Sequence, residues 1–293
     1  MNDPPNWCKV TKGMTHLIAT LTLVFYILSA FLFLISVARG KGGTSWGGRA
    51  FRLGLTCHTI TLILILSDSK LRFLDNGADY FFWVSWALGF AYASLGSRLN
   101  YPIVGAFFVP LISLFMASSS FMLHRDAFSL LNSPPVSNGE EYLFALIHAV
   151  PAAIAVASLA IALLTSGIYL ILEKRIRRKG QAALSLPGPN LSFLDKVSKR
   201  SILFAFMAIS LVVLTGSIWS VAEGRGIITL DLSTMLGLTV WLLLALIIHF
   251  RSNLGWSARK VSRLTLLVTA FFFISVFVIA FMTGKLSHGG TLV

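Results

Sequence analysis

The chain has 293 residues, of which 56% are hydrophobic and 12% charged, and its formal net charge is +13. A soluble domain carries about twice that charged fraction, so composition excludes an ordinary globular enzyme and implies a protein that crosses a membrane several times. The two cysteines, Cys8 and Cys57, form no CxxC or CxxCH, which excludes a dithiol oxidoreductase and a c-type cytochrome.

The apolar runs predict an all-α, polytopic membrane bundle of about eight helices. In chain order the expected spans are 14–38, 51–67, 80–97, 101–121, 142–172, 201–222, 233–250 and 260–283. A helix needs about 20 apolar residues to cross the hydrocarbon core. The second, third and seventh spans are short and carry polar residues, so they need protein neighbours. The fifth is long enough to tilt or to project beyond the bilayer. The first follows Lys9 and Lys12 and precedes Arg39 and Lys41. It has no small-residue cleavage site and is expected to be retained.

Eight spans place alternate loops on opposite sides. One side then holds 17 of the 24 basic residues, and the other holds nine of the 11 acidic ones. Lys and Arg remain cytoplasmic, so both termini are expected outside. Only Glu173 and Asp195 are acidic on the inner side. The basic loops are read as topology signals that also meet anionic lipid headgroups, with no nucleic acid as partner.

The whole of 1–293 is expected to form a single membrane domain. Five amino-terminal spans (14–172) are divided from three carboxy-terminal ones (201–293) by a basic cytoplasmic linker, 173–200, punctuated by Pro187, Gly188 and Pro189. No P-loop, GxSxG or HExxH occurs, so nucleotide hydrolysis and nucleophilic catalysis find no motif, and the chain is not expected to be an enzyme.

Six histidines remain, and topology sorts them by depth. His16, His124, His148 and His288 fall toward the outer side, whereas His58 and His249 fall toward the cytoplasmic one. The stretch WLLLALIIHFR puts His249 where a hydrophobic helix meets its stopping charge. An imidazole there is costly unless a helix, a water or a metal satisfies it. Neutral imidazoles from two helices can clamp one haem, while a lone membrane histidine can equally serve only to hydrogen-bond a neighbouring helix.

Residues 216–256 carry a family likeness. Gly216 and Trp219 match a G-x-x-W element, Asp231 an aspartate closing a tryptophan-rich segment, and Trp241 a helix tryptophan. His249 with Arg251 match H-x-R, and Gly255 with Trp256 a following basic turn. The stretch from 216 to 251 lies on the pattern without a gap. It resembles the CcsA/ResC/HemX family of cytochrome c assembly proteins. The likeness extends to ALIHAV around His148, to His288 beside Gly289, and to LTCHTITLIL around His58. It implies noncovalent haem b, with His148 and His288 as an outer pair of iron ligands and His249 as a membrane ligand or relay, for which His58, at similar predicted depth, is the candidate partner. Trp219, Trp241 and Asp231 would line the path, and other cytochrome c assembly proteins would be partners.

One departure stands out. Where the family has signature tryptophans, this chain has Gly224, Ile228 and Leu230, and Leu232, Ser233 and Thr234 replace Pro-Lys-Glu. Aromatic faces stack on a flat ligand, whereas aliphatic ones give apolar contact alone. The expected function is haem handling toward the outer face of a bacterial cytoplasmic membrane. The alternative is a HemX-like regulatory or scaffold protein that binds no haem. A transporter of another small molecule is the weaker third reading, because no internal repeat and no mid-membrane acid is found.

Overall fold

The computed structural model describes residues 6–39, 45–67, 77–96, 102–126, 139–179, 189–222, 224, 226 and 232–283. Among them the chain is helical, with eight helices: α1 (Asn6–Ala38), α2 (Ser45–Ser67), α3 (Gly77–Gly96), α4 (Pro102–Asp126), α5 (Gly139–Lys179), α6 (Leu191–Ala222), α7 (Leu232–Ser252) and α8 (Ala258–Thr283). Six of them, α1 and α4 to α8, are long and apolar enough to cross a membrane. The chain is an all-α polytopic membrane protein. α5 alone has 41 residues, about 60 Å by helical rise, which exceeds the roughly 30 Å hydrocarbon core.

The helices form two compact units, Met1–His124 and Arg125–Val293. In the first, packing is aromatic. Tyr26 and Phe33 of α1 are buried side chains. Each ring lies where a neighbouring helix has no Cβ: a methyl at Gly54 would fall 2.8 Å from Tyr26, and one at Gly105 would fall 2.7 Å from Phe33. Lipid-embedded helices gain nothing from hydrophobicity against each other, so close packing at small residues and interhelical hydrogen bonds hold them. Both occur here: Ser29 Oγ donates to the Gly47 carbonyl at 2.8 Å and Ser85 Oγ to the Ile112 carbonyl at 3.1 Å.

In the second unit α5 and α6 are antiparallel. His148 meets Thr215 near one end, and Ser166 meets Ser198 at 3.0 Å toward the other. The seam is made of small residues at helical spacing: Ala155, Ser158, Ala162 and Ser166 on α5, against Ser198, Ser201, Ala205 and Ala208 on α6, all buried. α8 adds a buried face of Val261, Thr265, Val268 and Phe273, and α7 lies against α6 and α8.

The stretch expected to be a linker is largely helical at its flanks. α5 continues to Lys179, and α6 starts at Leu191, well before the expected residue 201. Asn190 explains the early start. Its side-chain Oδ1 accepts from Ser192 N–H at 2.8 Å and its carbonyl from Leu194 N–H at 3.1 Å, an N-cap that satisfies donors a helix otherwise leaves open. Residues 180–188 lie outside the described ones.

Candidate functional site

The end of the α5–α6 seam that carries His148 and Thr215 holds the most concentrated set of expected site residues. His148 is half-buried on α5, and its Nδ1 lies 3.1 Å from Thr215 Oγ1 on α6. One residue further along α6, Gly216 makes room for the ring: a Cβ there would meet His148 Cε1 at 3.2 Å. One turn further, Trp219 stands edge-on to the imidazole with ring centroids 6.3 Å apart. The G-x-x-W spacing thus has a geometric meaning. Residues three apart share a helix face, so the glycine admits the histidine and the tryptophan flanks it. Pro151 lies three residues past His148 inside α5. Lacking an N–H, it releases the Ile147 carbonyl from the helix ladder beside the histidine.

α6 ends just beyond. The Gly224 N–H bonds the Val221 carbonyl at 2.9 Å, and Gly224 has φ +72°, a left-handed conformation that terminates helices and strains any residue with a Cβ. One signature tryptophan is therefore missing at a position where the backbone here favours glycine. Asp231, Ile228, Leu230 and His288 lie outside the described residues, and so do the side chains of His16, His124 and Cys8.

Trp241 lies half-buried midway along α7. Its Nε1–H donates to Ser210 Oγ on α6 at 2.9 Å and its ring stacks on Phe206 at 5.6 Å. His249 is exposed in the last turn of α7. Its Nδ1 lies 2.9 Å from the Asn253 side-chain nitrogen, and its carbonyl accepts the Asn253 N–H at 2.9 Å. The chain then turns through Gly255 at φ +60°. Trp256 folds back, its N–H reaching the Phe250 carbonyl at 3.2 Å and its ring stacking on Phe250 at 4.4 Å. The G-W element is therefore a helix stop locked by an aromatic pair.

The arginine of H-x-R has its own partner. Arg251 Nη2 contacts Asp195 Oδ2 on α6 at 2.6 Å. Beside it, Glu173 of α5 pairs with Arg177 at 2.9 Å, and its second oxygen lies 3.1 Å from Arg259 Nε on α8, an ion pair lacking the angle of a hydrogen bond. The two acids on the basic face thus join the ends of α5, α6, α7 and α8.

His148 and His249 stand at opposite ends of this unit. His148 is level with Thr215 of α6 and His249 with the region near Asp195, a separation of about 27 Å by helical rise. They are not brought together as one ligand pair. His58 belongs to the other unit. It is buried on α2, its Nδ1 3.2 Å from Tyr26 Oη and its ring 4.3 Å from that of Phe82. Its Nε2 is buried with no hydrogen-bond partner of ordinary geometry among the described residues. No group of three or more metal-ligating side chains occurs among those residues. Cys57, one residue away, is a free thiol.

Sequence reasoning missed Thr215, Ser210, Asn253 and Asp195. Asp195 had a signal, being one of two acids on a strongly basic face. The hydroxyls had none, because Ser and Thr are common in membrane helices.

The family model described as Cytochrome C assembly protein matches residues 46–287. The chain belongs to this family. It is 25% identical to the cytochrome c biogenesis protein CcsA of Guillardia theta over 70% of this chain and 73% of that protein. It is 23% identical to CcsA of Chlorella vulgaris, over 91% and 92%. It is 25% identical to CcsA of Prochlorococcus marinus (strain MIT 9301), over 81% and 82%. No solved structure matches the chain. The HemX-like alternative finds no support among these relatives.

Proposed function

We propose that this chain binds haem b noncovalently at the outer end of the α5–α6 seam and passes it outward for cytochrome c assembly, making no covalent bond of its own. The observation that carries this reading is the packing of His148 against Gly216 and Trp219. Family membership and relatives named for cytochrome c biogenesis support it. The donor set fits: a neutral imidazole suits haem iron, a glycine leaves space at the ring, and an indole edge borders it. Bound haem supplies the iron and a flat apolar face. The chain's residues supply a ligand, a wall and exclusion of water. His288 and Asp231 are proposed to complete the outer site, and His249 with His58 are proposed to serve an inner step.

The distribution of charge supports a membrane orientation with both termini outside, in a bacterial cytoplasmic membrane, with anionic lipid at the basic loops. Other cytochrome c assembly proteins are the proposed partners. The test is haem staining of c-type cytochromes in a strain lacking the gene. Complementation by the natural chain restores them and complementation by His148→Ala does not. Unchanged c-type cytochromes in the deletion strain contradict the proposal.

A further inference from the structure

The His148–Thr215 contact determines which nitrogen of the imidazole carries the proton. Thr215 Oγ1 lies 2.8 Å from the Leu211 carbonyl oxygen one turn back and 3.2 Å from that of Val212. Two oxygens at 2.8 Å repel unless a proton stands between them, so the hydroxyl hydrogen points at the carbonyl. A hydroxyl has one hydrogen to donate and two lone pairs to accept with. Toward His148 Nδ1, at 3.1 Å, Thr215 can therefore only accept, and Nδ1 must bear the hydrogen.

The same construction occurs twice more among the described residues, with a donor whose direction is beyond question. Trp86 Nε1 lies 3.1 Å from Thr59 Oγ1, whose hydroxyl is 2.8 Å from the Leu55 carbonyl. Trp241 Nε1 lies 2.9 Å from Ser210 Oγ, whose hydroxyl is 2.8 Å from the Phe206 carbonyl. An indole nitrogen can only donate. In both pairs a back-bonded hydroxyl serves a neighbouring helix as an acceptor, and His148 occupies the same place as those two indoles.

We infer that Thr215 is a positioning residue that holds His148 as its Nδ1–H tautomer and so gives Nε2 the lone pair with which to ligate haem iron. The final clause rests on the haem-binding reading above; the tautomer does not. Ligating histidines commonly donate their second ring nitrogen's hydrogen to a fixed acceptor, which orients the ring and raises its basicity. Thr215 supplies that acceptor from α6, and Gly216 beside it prevents a side chain from tilting the ring away.

The test separates the two parts. Nitrogen-15 NMR of [15N]histidine-labelled protein in nanodiscs, without haem, reports the tautomer directly, and His148→Gln identifies the resonances. The natural chain is expected to show His148 as the Nδ1–H form. Thr215→Val, which keeps the shape and removes the acceptor, is expected to shift it toward Nε2–H, and Thr215→Ser to restore it. An Nε2–H form in the natural chain, or no response to Thr215→Val, overturns the inference. Haem titration of the same proteins then reads the consequence. Thr215→Val is expected to weaken binding about ten- to a hundred-fold, the range found for outer-shell partners of ligands, and Thr215→Ser to recover it. Equal affinity in natural and Thr215→Val proteins overturns the ligand-positioning role. A natural chain that takes up no haem overturns the haem reading, while the tautomer result stands on the NMR.

Discussion

Arg251 is tied to Asp195, guanidinium nitrogen to carboxylate oxygen at 2.6 Å, joining the C-terminal end of α7 to the N-terminal part of α6. The arginine two residues after His249 therefore works as a latch between helices. Both side chains are only partly exposed, 17% and 23%, which places the pair between a screened surface bridge and a buried one. Asp195→Ala is expected to lower stability by about 1.5–3 kcal/mol, the range for a hydrogen bond to a charged group. Equilibrium unfolding in mild detergent, beside Arg251→Ala and the double variant, checks this. The double variant should cost less than the sum of the singles, because residues in one ion pair do not act additively.

Gly216 lies close against the His148 ring. Gly216→Val is expected to push the His148 ring off its place, since even a Cβ would lie 3.2 Å from Cε1. Overpacking of this kind costs about 1–3 kcal/mol. Haem content after purification should fall sharply while far-ultraviolet circular dichroism stays unchanged.

Tyr26 and His58 form a buried polar pair inside an aromatic core. Tyr26→Phe removes a partner without changing ring packing. The expected loss is about 0.5–2 kcal/mol, the range for interhelical hydrogen bonds in membranes, read by unfolding in detergent. An unchanged midpoint would mean that ring packing and the Ser29–Gly47 hydrogen bond hold α1 to α2 without the Tyr26 hydroxyl.

Gly255→Ala should cost about 1–2 kcal/mol, because a Cβ is strained at φ +60°. Trp256→Leu should cost about 0.5–1.5 kcal/mol through loss of its stack on Phe250. Thermal scans of both variants, read by light scattering, check the stop of α7.

Much of the fold was legible because bilayer thickness imposes a length on every span. The start of α6 was not, because a single N-cap at Asn190 extends the helix into a basic stretch that hydropathy reads as loop. At the site, His148, Gly216 and Trp219 stood out as motif residues, and the structure brings them together. Thr215 did not, since nothing in a sequence distinguishes a hydroxyl that accepts from a neighbouring helix from one that only back-bonds its own. The two units also could not be read from span counts. α5 runs on from the amino-terminal spans in sequence, yet it packs with α6 and α8, where its small-residue face finds its complement.

The most direct measurement is an absorption spectrum of the detergent-purified protein, oxidised and reduced, beside His148→Ala. Haem ligation by His148 predicts a Soret band with sharp low-spin bands on reduction in the natural chain, largely lost in the variant. A flat spectrum after expression with added haem, or a band that His148→Ala leaves untouched, would contradict it.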